Sequence, residues 1–315
     1  MLEVSKLRLV ELFDKVFFLE GKNGGRYPFS NSLFIDDEVK VLIDTGFGKE
    51  FVEKFLKEKR VDLVINSHCH EDHTSCNYLF RDARICCHRL DAPAIRSVNE
   101  LLKRYGPSGD EVVESIRVFL KDMFGLRNSR VDFEFEDNYV FDLGDVKLQV
   151  IHAPGHSIGH CCFFIPIAKI VFLSDIDLTG FGPWYGCLDS DIDQFIDSIN
   201  KVKKLRPKIA VSSHKGIIVG KDIIQTKLDE YLQKIFERES KLLKLLKERE
   251  LNINQIVDKA IIYGKFPDPK NIFKHFERIM VEKHLNRLIK SGFINKTKRG
   301  FKVVKYNKKE NVRSK

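Results

Sequence analysis

Residues 61–77 read VDLVINSHCHEDHTSCN. The apolar run from Val61 to Ile65 has the length and branching of a buried strand. Directly after it His68, His70, Asp72 and His73 fall within six positions. On an extended segment two residues that are two apart face the same side, so His68 and His70 point together. Asp72 and His73 follow where the chain turns. Imidazole nitrogen and carboxylate oxygen are metal ligands of the zinc type. One metal does not easily take all four from so tight a turn and stay open to a substrate, whereas two neighbouring metals can share them. A two-metal site takes about seven or eight protein ligands, so others must come from elsewhere in the chain.

Three further stretches offer them, each at the end of an apolar run. VIHAPGHSIGH (150–160) sets His156 beyond a strand and a Pro-Gly turn, IVFLSDID (170–177) ends a strand at Asp175, and IAVSSHKG (209–216) ends one at His214. Earlier, VLIDTG (41–46) puts Asp44 before a glycine turn. Loops at strand ends are where a rigid sheet presents a site.

The HxHxDH run, the later His, Asp and His, and the preceding Asp-Thr-Gly occur together and in order over residues 1 to about 220. In this the chain resembles the metallo-β-lactamase superfamily of hydrolases. The resemblance implies an α/β fold, an αββα sandwich with metals at one sheet edge. It implies that His68, His70 and His156 hold a first metal, Asp72, His73 and His214 a second, and that Asp175 bridges them. Asp44 would brace the ligand loop, as metal ligands generally require. Two divalent ions are expected, zinc, with iron or manganese as the alternatives. A water bridging them loses a proton near neutral pH and attacks an acyl or phosphoryl centre, while the ions stabilise the oxyanion. Asp72 would also orient the nucleophile or relay a proton. His152 and His160 flank His156 in the HxPGHxxGH form of the family and are expected to support the ligands. In TGFGPWYGCLDSD (179–191), Trp184 and Tyr185 either wall the substrate or pack the loop. Cys69, inside HxH, should face away from the metals. His88 is expected to pack at a strand end, and His275 and His284 to be surface or interface groups.

Composition bounds the rest. The chain has 315 residues, 43% hydrophobic with 25 Phe, enough for one large domain or two ordinary ones. No run of about 18 apolar residues occurs, so no membrane span is expected. MLEVSKLRLVELF mixes charge and apolar residues and lacks the parts of a signal peptide. Seven cysteines without framework spacing read as reduced, buried thiols of a cytoplasmic protein.

Strands are expected at LRLVEL, KVFFLE, NSLFID, VKVLID, DLVINS, ARICCH, YVFDLG, VKLQVIH, CCFFIP, KIVFLSD and KIAVSS, with hairpins at IDDEVK and DLGDVK. Helices are expected over 51–59, 91–106, 109–125 and 191–205, the last capped by Asp191. The 91–125 pair would either cover the site as a lid or close the core. Interleaved strands and helices mean a layered α/β domain over residues 1–221.

From residue 222 the character changes. Residues 1–221 hold 30 Lys/Arg against 33 Asp/Glu, and residues 222–315 hold 24 against 12. A long charged helix over 222–250 is followed by LNINQIVDKAIIYG, a short entry and a helix, and by a helix that ends at Gly292. FINKTKRGFKVVKY then reads as two short strands, and NKKENVRSK (307–315) as a frayed tail. Helices with a small basic hairpin form a winged-helix pattern, and this one resembles the tail of the β-lactamase-like protein 2 group. That group contains a single-strand-specific endoribonuclease, and relatives with the same tail are acyl-carrier thioesterases.

The expected activity is therefore metal-dependent hydrolysis of a small-molecule ester or thioester, similar to glyoxalase II. One alternative is cleavage of single-stranded RNA, with the basic tail holding the backbone; the other is a mononuclear iron sulfur dioxygenase. A homodimer is compatible with either.

Overall fold

The computed structural model describes residues 7–107 and 109–304. Two sheets organise the first unit. The first runs in chain order through β1 (Arg8–Phe13), β2 (Val16–Glu20), β3 (Ser32–Asp36), β4 (Lys40–Ile43), β5 (Leu63–Asn66), β6 (Arg84–His88) and β7 (Phe133–Phe135). Its pairings are antiparallel as far as β4 and parallel from β4 to β7. The second contains β8 (Val140–Asp142), β9 (Lys147–His152), β10 (Cys161–Ile165), β11 (Ile170–Ser174), β12 (Ile209–Ser212) and β13 (Gly216–Val219), in the order β13-β12-β11-β10-β9-β8. Only β11 and β12 pair in parallel there.

Alternation along the strands builds the layers. On β3, Leu33 and Ile35 join Val41, Ile43, Leu148, Val150, Phe163 and Phe172 in the core shared by the two sheets. The intervening Phe34 turns the other way, to meet Phe47, Phe51, Val52 and Phe55 of helix α1 (Lys49–Glu58) and the turn before it. A period of two with both faces apolar is what a strand buried on both sides requires. Helices α2 (Glu71–Thr74), α3 (Ala92–Arg96), α4 (Val98–Tyr105), α5 (Glu111–Phe124) and α6 (Ile192–Lys204) fill the connections. α6 starts on Asp191, whose carboxylate accepts from Gln194 N–H at 2.8 Å, and buries Ile192, Phe195, Ile199 and Val202.

All eleven expected strands form, and the two expected hairpins close β3 on β4 and β8 on β9. Two short strands were not legible: Phe-Glu-Phe of β7 and Gly-Ile-Ile-Val of β13. The helix expected over 91–106 is two. Ser97 is extended and caps the second by accepting from Glu100 N–H, which breaks the run. Every cysteine is a buried free thiol. None of the described helices is long and apolar enough to cross a membrane.

The chain divides into two compact units, 1–234 and 235–315. The division falls inside α7 (Lys221–Glu248), not at its start near residue 221, because Ile224, Leu228 and Tyr231 are buried with the first unit. The second unit comprises the rest of α7, α8 (Ile253–Val257), α9 (Lys270–Lys290) and the hairpin of β14 (Ile294–Lys296) with β15 (Phe301–Val303). α8 is a single capped turn, shorter than its apolar pattern suggests: Asn252 and Gln255 form a reciprocal capping box. Gly292 follows α9 at φ 75°, as a helix stop should. His284, expected as a surface or interface group, is not at the surface. It is fully buried, with Nδ1 3.4 Å from Glu239, which also accepts from Arg287 at 2.5 Å. Residues 305–315, which include the tail expected to fray, lie outside the described residues.

Candidate metal centre

The site forms where strands of both sheets end. β5 delivers Ser67 to His73, β9 the loop to His156, β11 Asp175 and β12 His214. Two groups of ligand atoms result, each with all its members within 4.8 Å of one another: His68, His70, His156 and Asp175, and Asp72, His73 and His214. All seven expected ligands are brought together.

Each imidazole has its outer nitrogen tied and its inner nitrogen turned to the centre. His156 Nδ1–H donates to Trp184 O at 2.9 Å, and His214 Nδ1–H to Gly25 O at 2.7 Å. His73 Nδ1–H donates to Asp44 Oδ2 at 2.8 Å. His68 Nδ1 lies 3.0 Å from Ser67 Oγ, and His70 Nε2 lies 3.4 Å from Cys187 Sγ. The carbonyl and carboxylate partners of His156, His214 and His73 put a proton on Nδ1, since a ring nitrogen facing an acceptor must carry one. The inner atoms of the first group meet closely. His156 Nε2 is 2.8 Å from His70 Nδ1 and 3.2 Å from His68 Nε2.

Asp175 stands between the groups. Its Oδ1 is 3.0 Å from His73 Nε2 and 3.4 Å from His214 Nε2, and its Oδ2 is 3.2 Å from His156 Nε2. His73 Nε2 and Asp175 Oδ1 are buried and make no hydrogen bond. Converging imidazoles and two carboxylates of this donor type fit divalent cations.

Electrostatics agree with the geometry. Burial, helped by the neighbouring imidazoles, pushes His68 and His70 well below the usual histidine range. For His73 burial acts in the same direction but is outweighed by Asp175, Asp72 and Asp44, which raise it well above that range. His214 is raised to about 9 against its own burial, first by Asp175. Burial raises Asp72, whereas His73, His214 and His156 overcome burial at Asp175 and hold its carboxyl well down. So much opposed charge in so little volume is a site prepared for cations.

Asp44 braces the ligand loop. Besides His73 it accepts from Ser67 N–H and Ser67 Oγ–H, both at 2.7 Å, and it sits at φ 64°. Gly46 explains the glycine of the Asp-Thr-Gly turn: a Cβ there would lie 1.5 Å from Asp72 O. His160 donates from Nδ1 to Ala153 O at 2.9 Å and accepts at Nε2 from Asp175 N–H at 3.1 Å, so it holds the Asp175 segment. Burial keeps it neutral, at about 3. His152 touches no ligand. It stacks on His88 at 4.1 Å and bonds Ile158 O at 2.8 Å, in the loop after His156.

Trp184 and Tyr185 part company. The half-buried Trp184 ring lies 5.6 Å from both His70 and His156, while Tyr185 is fully buried and belongs to the core rather than to a substrate wall. Cys69 faces away, with Sγ 3.2 Å from Arg104. Sequence reasoning missed Ser67, Ser174, Cys187 and Tyr231. Ser174 Oγ donates to Ser67 Oγ at 2.7 Å, and Tyr231 Oη to Asp175 O at 3.2 Å. Ser67 and Ser174 had one available signal, since each directly precedes a ligand.

Residues 26–214 match the family model of the Metallo-beta-lactamase superfamily. The chain is 30% identical to a probable metallo-hydrolase of Methanocaldococcus jannaschii over 189 residues, 58% of this chain and 84% of that one. It is 22% identical to an atrochrysone carboxyl ACP thioesterase of Pseudocercospora fijiensis, over 75% of this chain and 62% of the relative. It is 28% identical to a human acyl-coenzyme A thioesterase, over 45% and 56%. The chain thus spans less than two thirds of either thioesterase. A metallo-beta-lactamase family protein of Thermus thermophilus has the same fold, with a TM-score of 0.70 at 17% identity, over 93% of this chain and all of that one.

Proposed function

The chain belongs to the metallo-beta-lactamase superfamily and is a metal-dependent hydrolase, and from that premise we propose that it cleaves a small-molecule thioester or ester, like glyoxalase II, at a two-metal centre. His68, His70 and His156 would hold one ion and Asp72, His73 and His214 the other, with Asp175 facing both groups. The observation that carries the reading is the uniform orientation of the five imidazoles, outer nitrogen bonded and inner nitrogen turned to the centre, around a carboxylate that faces both groups. When bound, such ions supply hydroxide near neutral pH and polarise a carbonyl.

The chain's own residues do the rest. Asp44, Ser67, Ser174 and His160 fix the ligands before substrate arrives, so no reorganisation is needed during reaction. Asp72, whose Oδ2 is 3.4 Å from His214 Nε2, would orient the nucleophile or take up its proton. The Trp184 ring lies over His70 and His156 as an apolar wall for the acyl or thiol portion. The thioesterase relatives favour a thioester over a phosphodiester.

The test is turnover of a panel of acyl-coenzyme A and acyl-glutathione thioesters and of single-stranded RNA by metal-loaded enzyme. We expect thioester cleavage that falls at least about 1,000-fold in His68→Ala, with two metal equivalents per chain. RNA cleavage without thioester turnover would overturn the substrate class, and a single iron equivalent would overturn the two-metal centre.

One observation favours a second role for the tail. The hairpin of the second unit carries Lys296, Lys298 and Arg299 around a cleft shared with Asn252 and Asn286. We read this unit as a winged-helix type that binds a polyanion. Charge reversal of Lys298 and Arg299 should flatten the salt dependence of RNA binding by about one unit of log–log slope for each phosphate no longer neutralised.

A further inference from the structure

We propose that Asp91 is the positioning residue of the first ligand group, spacing His68, His70 and His156 as Asp44 spaces His73. The inference rests on the two-group reading above. Asp91 stands at the start of α3, away from every ligand in sequence, and is completely buried. Its Oδ2 accepts from Cys69 N–H at 3.0 Å, between His68 and His70, and from Ser157 Oγ–H at 2.8 Å, next to His156. Its Oδ1 accepts from Gly159 N–H at 3.0 Å and from Arg104 Nη1 at 2.6 Å. One carboxylate therefore ties the two segments that carry the three histidines.

Arg104 extends the tie to a third segment. Its guanidinium also donates to Leu90 O at 2.7 Å and lies 2.9 Å from Asp189 Oδ2, which accepts from Ile158 N–H at 3.3 Å. Asp189 belongs to the stretch whose Trp184 O and Cys187 Sγ orient His156 and His70. Every group facing Asp91 is a donor, so the position demands an acceptor at both oxygens. Asparagine would present an amide N–H₂ to one pair of donors. Gly159 is part of the arrangement, since a Cβ there would sit 2.5 Å from Asp91 Cγ. An uncompensated buried charge would be costly, and Arg104, itself largely buried, supplies the compensation.

The test is stepwise cobalt(II) titration of metal-free full-length protein, followed by visible absorption and calorimetry, for wild type, D91N, R104K, G159A and D44N. Circular dichroism of each metal-free variant monitors folding. D91N and G159A should weaken one binding step about 10–100-fold and leave the other unchanged. R104K keeps the charge but loses the fork, and should weaken the same step less. D44N, which reaches His73 directly and His68 through Ser67, should weaken both steps. Loss of packing alone would not select one step. Wild-type affinities in folded D91N, or equal loss of both steps, would overturn the proposal. If D91N does not fold, R104K decides by the same criteria. If wild type takes one ion only, the two-metal reading fails, and the Asp91 inference then stands or falls on whether that single affinity drops in R104K and G159A.

Discussion

At Gly46 the backbone passes so close to Asp72 O that any side chain must displace it. Gly46→Ala should therefore shift α2 and its ligands, lowering metal affinity at least about tenfold and stability by about 1–3 kcal/mol. Calorimetric metal titration and denaturant unfolding would check both, and wild-type values would show that the turn can relax. His88 offers a pH test away from the ligands. Burial, with His152 stacked on it, lowers it from 6.5 to about 4, while Asp91 and Asp137 oppose this and Arg89 reinforces it. A folded-state value depressed below the unfolded one gives stability that is full above pH 6.5 and lost as pH falls toward 4. Denaturation midpoints of metal-free protein across that window should fall more steeply in wild type than in His88→Gln. Parallel curves would remove His88 as a source of acid lability. The ligands themselves were legible one by one, because an imidazole or carboxylate at the end of an apolar run has few structural uses. Asp91 and Cys187 were not, because an aspartate before Ala-Pro and a cysteine in a Gly-rich loop have many.

Strands were more legible than helices. The alternation of β3, β4 and β10 shows in Leu33, Ile35, Val41, Ile43, Cys161, Phe163 and Ile165, all facing the core between the sheets. β7 and β13 have three and four residues, too few for a period to register, and owe their pairing to neighbours already in place. The 91–106 run looked like one helix because its apolar spacing is continuous, and the backbone at Ser97 broke it. α6 shows the opposite case, a helix set by a local signal. Asp191→Ala should cost about 1 kcal/mol through the lost cap. Because Asp191 N–H also donates to Gly155 O beside His156, the same substitution tests whether the cap anchors the ligand loop. Backbone and cap are separable: thermal unfolding should shift while metal affinity holds, and a shift in both would tie them together.

Across the whole molecule, metal and fold should be linked. Imidazoles and carboxylates crowded this closely are better satisfied by a cation than by one another. Stripping with chelator should lower the unfolding midpoint by roughly 5–10 °C at ion concentrations that saturate wild type about a hundredfold above Kd. An unchanged midpoint would mean that the cluster holds no ion worth stabilising. The two units divide by charge as well as by packing, the first mildly acidic and the second strongly basic. That asymmetry was plain in the sequence, although the boundary was not: α7 is one uninterrupted helical pattern, and only the burial of Ile224, Leu228 and Tyr231 assigns its start to the first unit. By itself the sequence determined the ligand types, their order and the strands that carry them, because periodicity and side-chain chemistry are local properties. Tertiary structure alone decided which oxygen of Asp175 faces which group, which nitrogen of each imidazole turns inward, and that Asp91 joins segments far apart in the chain. Those depend on distances between residues that the sequence separates and only packing brings within hydrogen-bond reach.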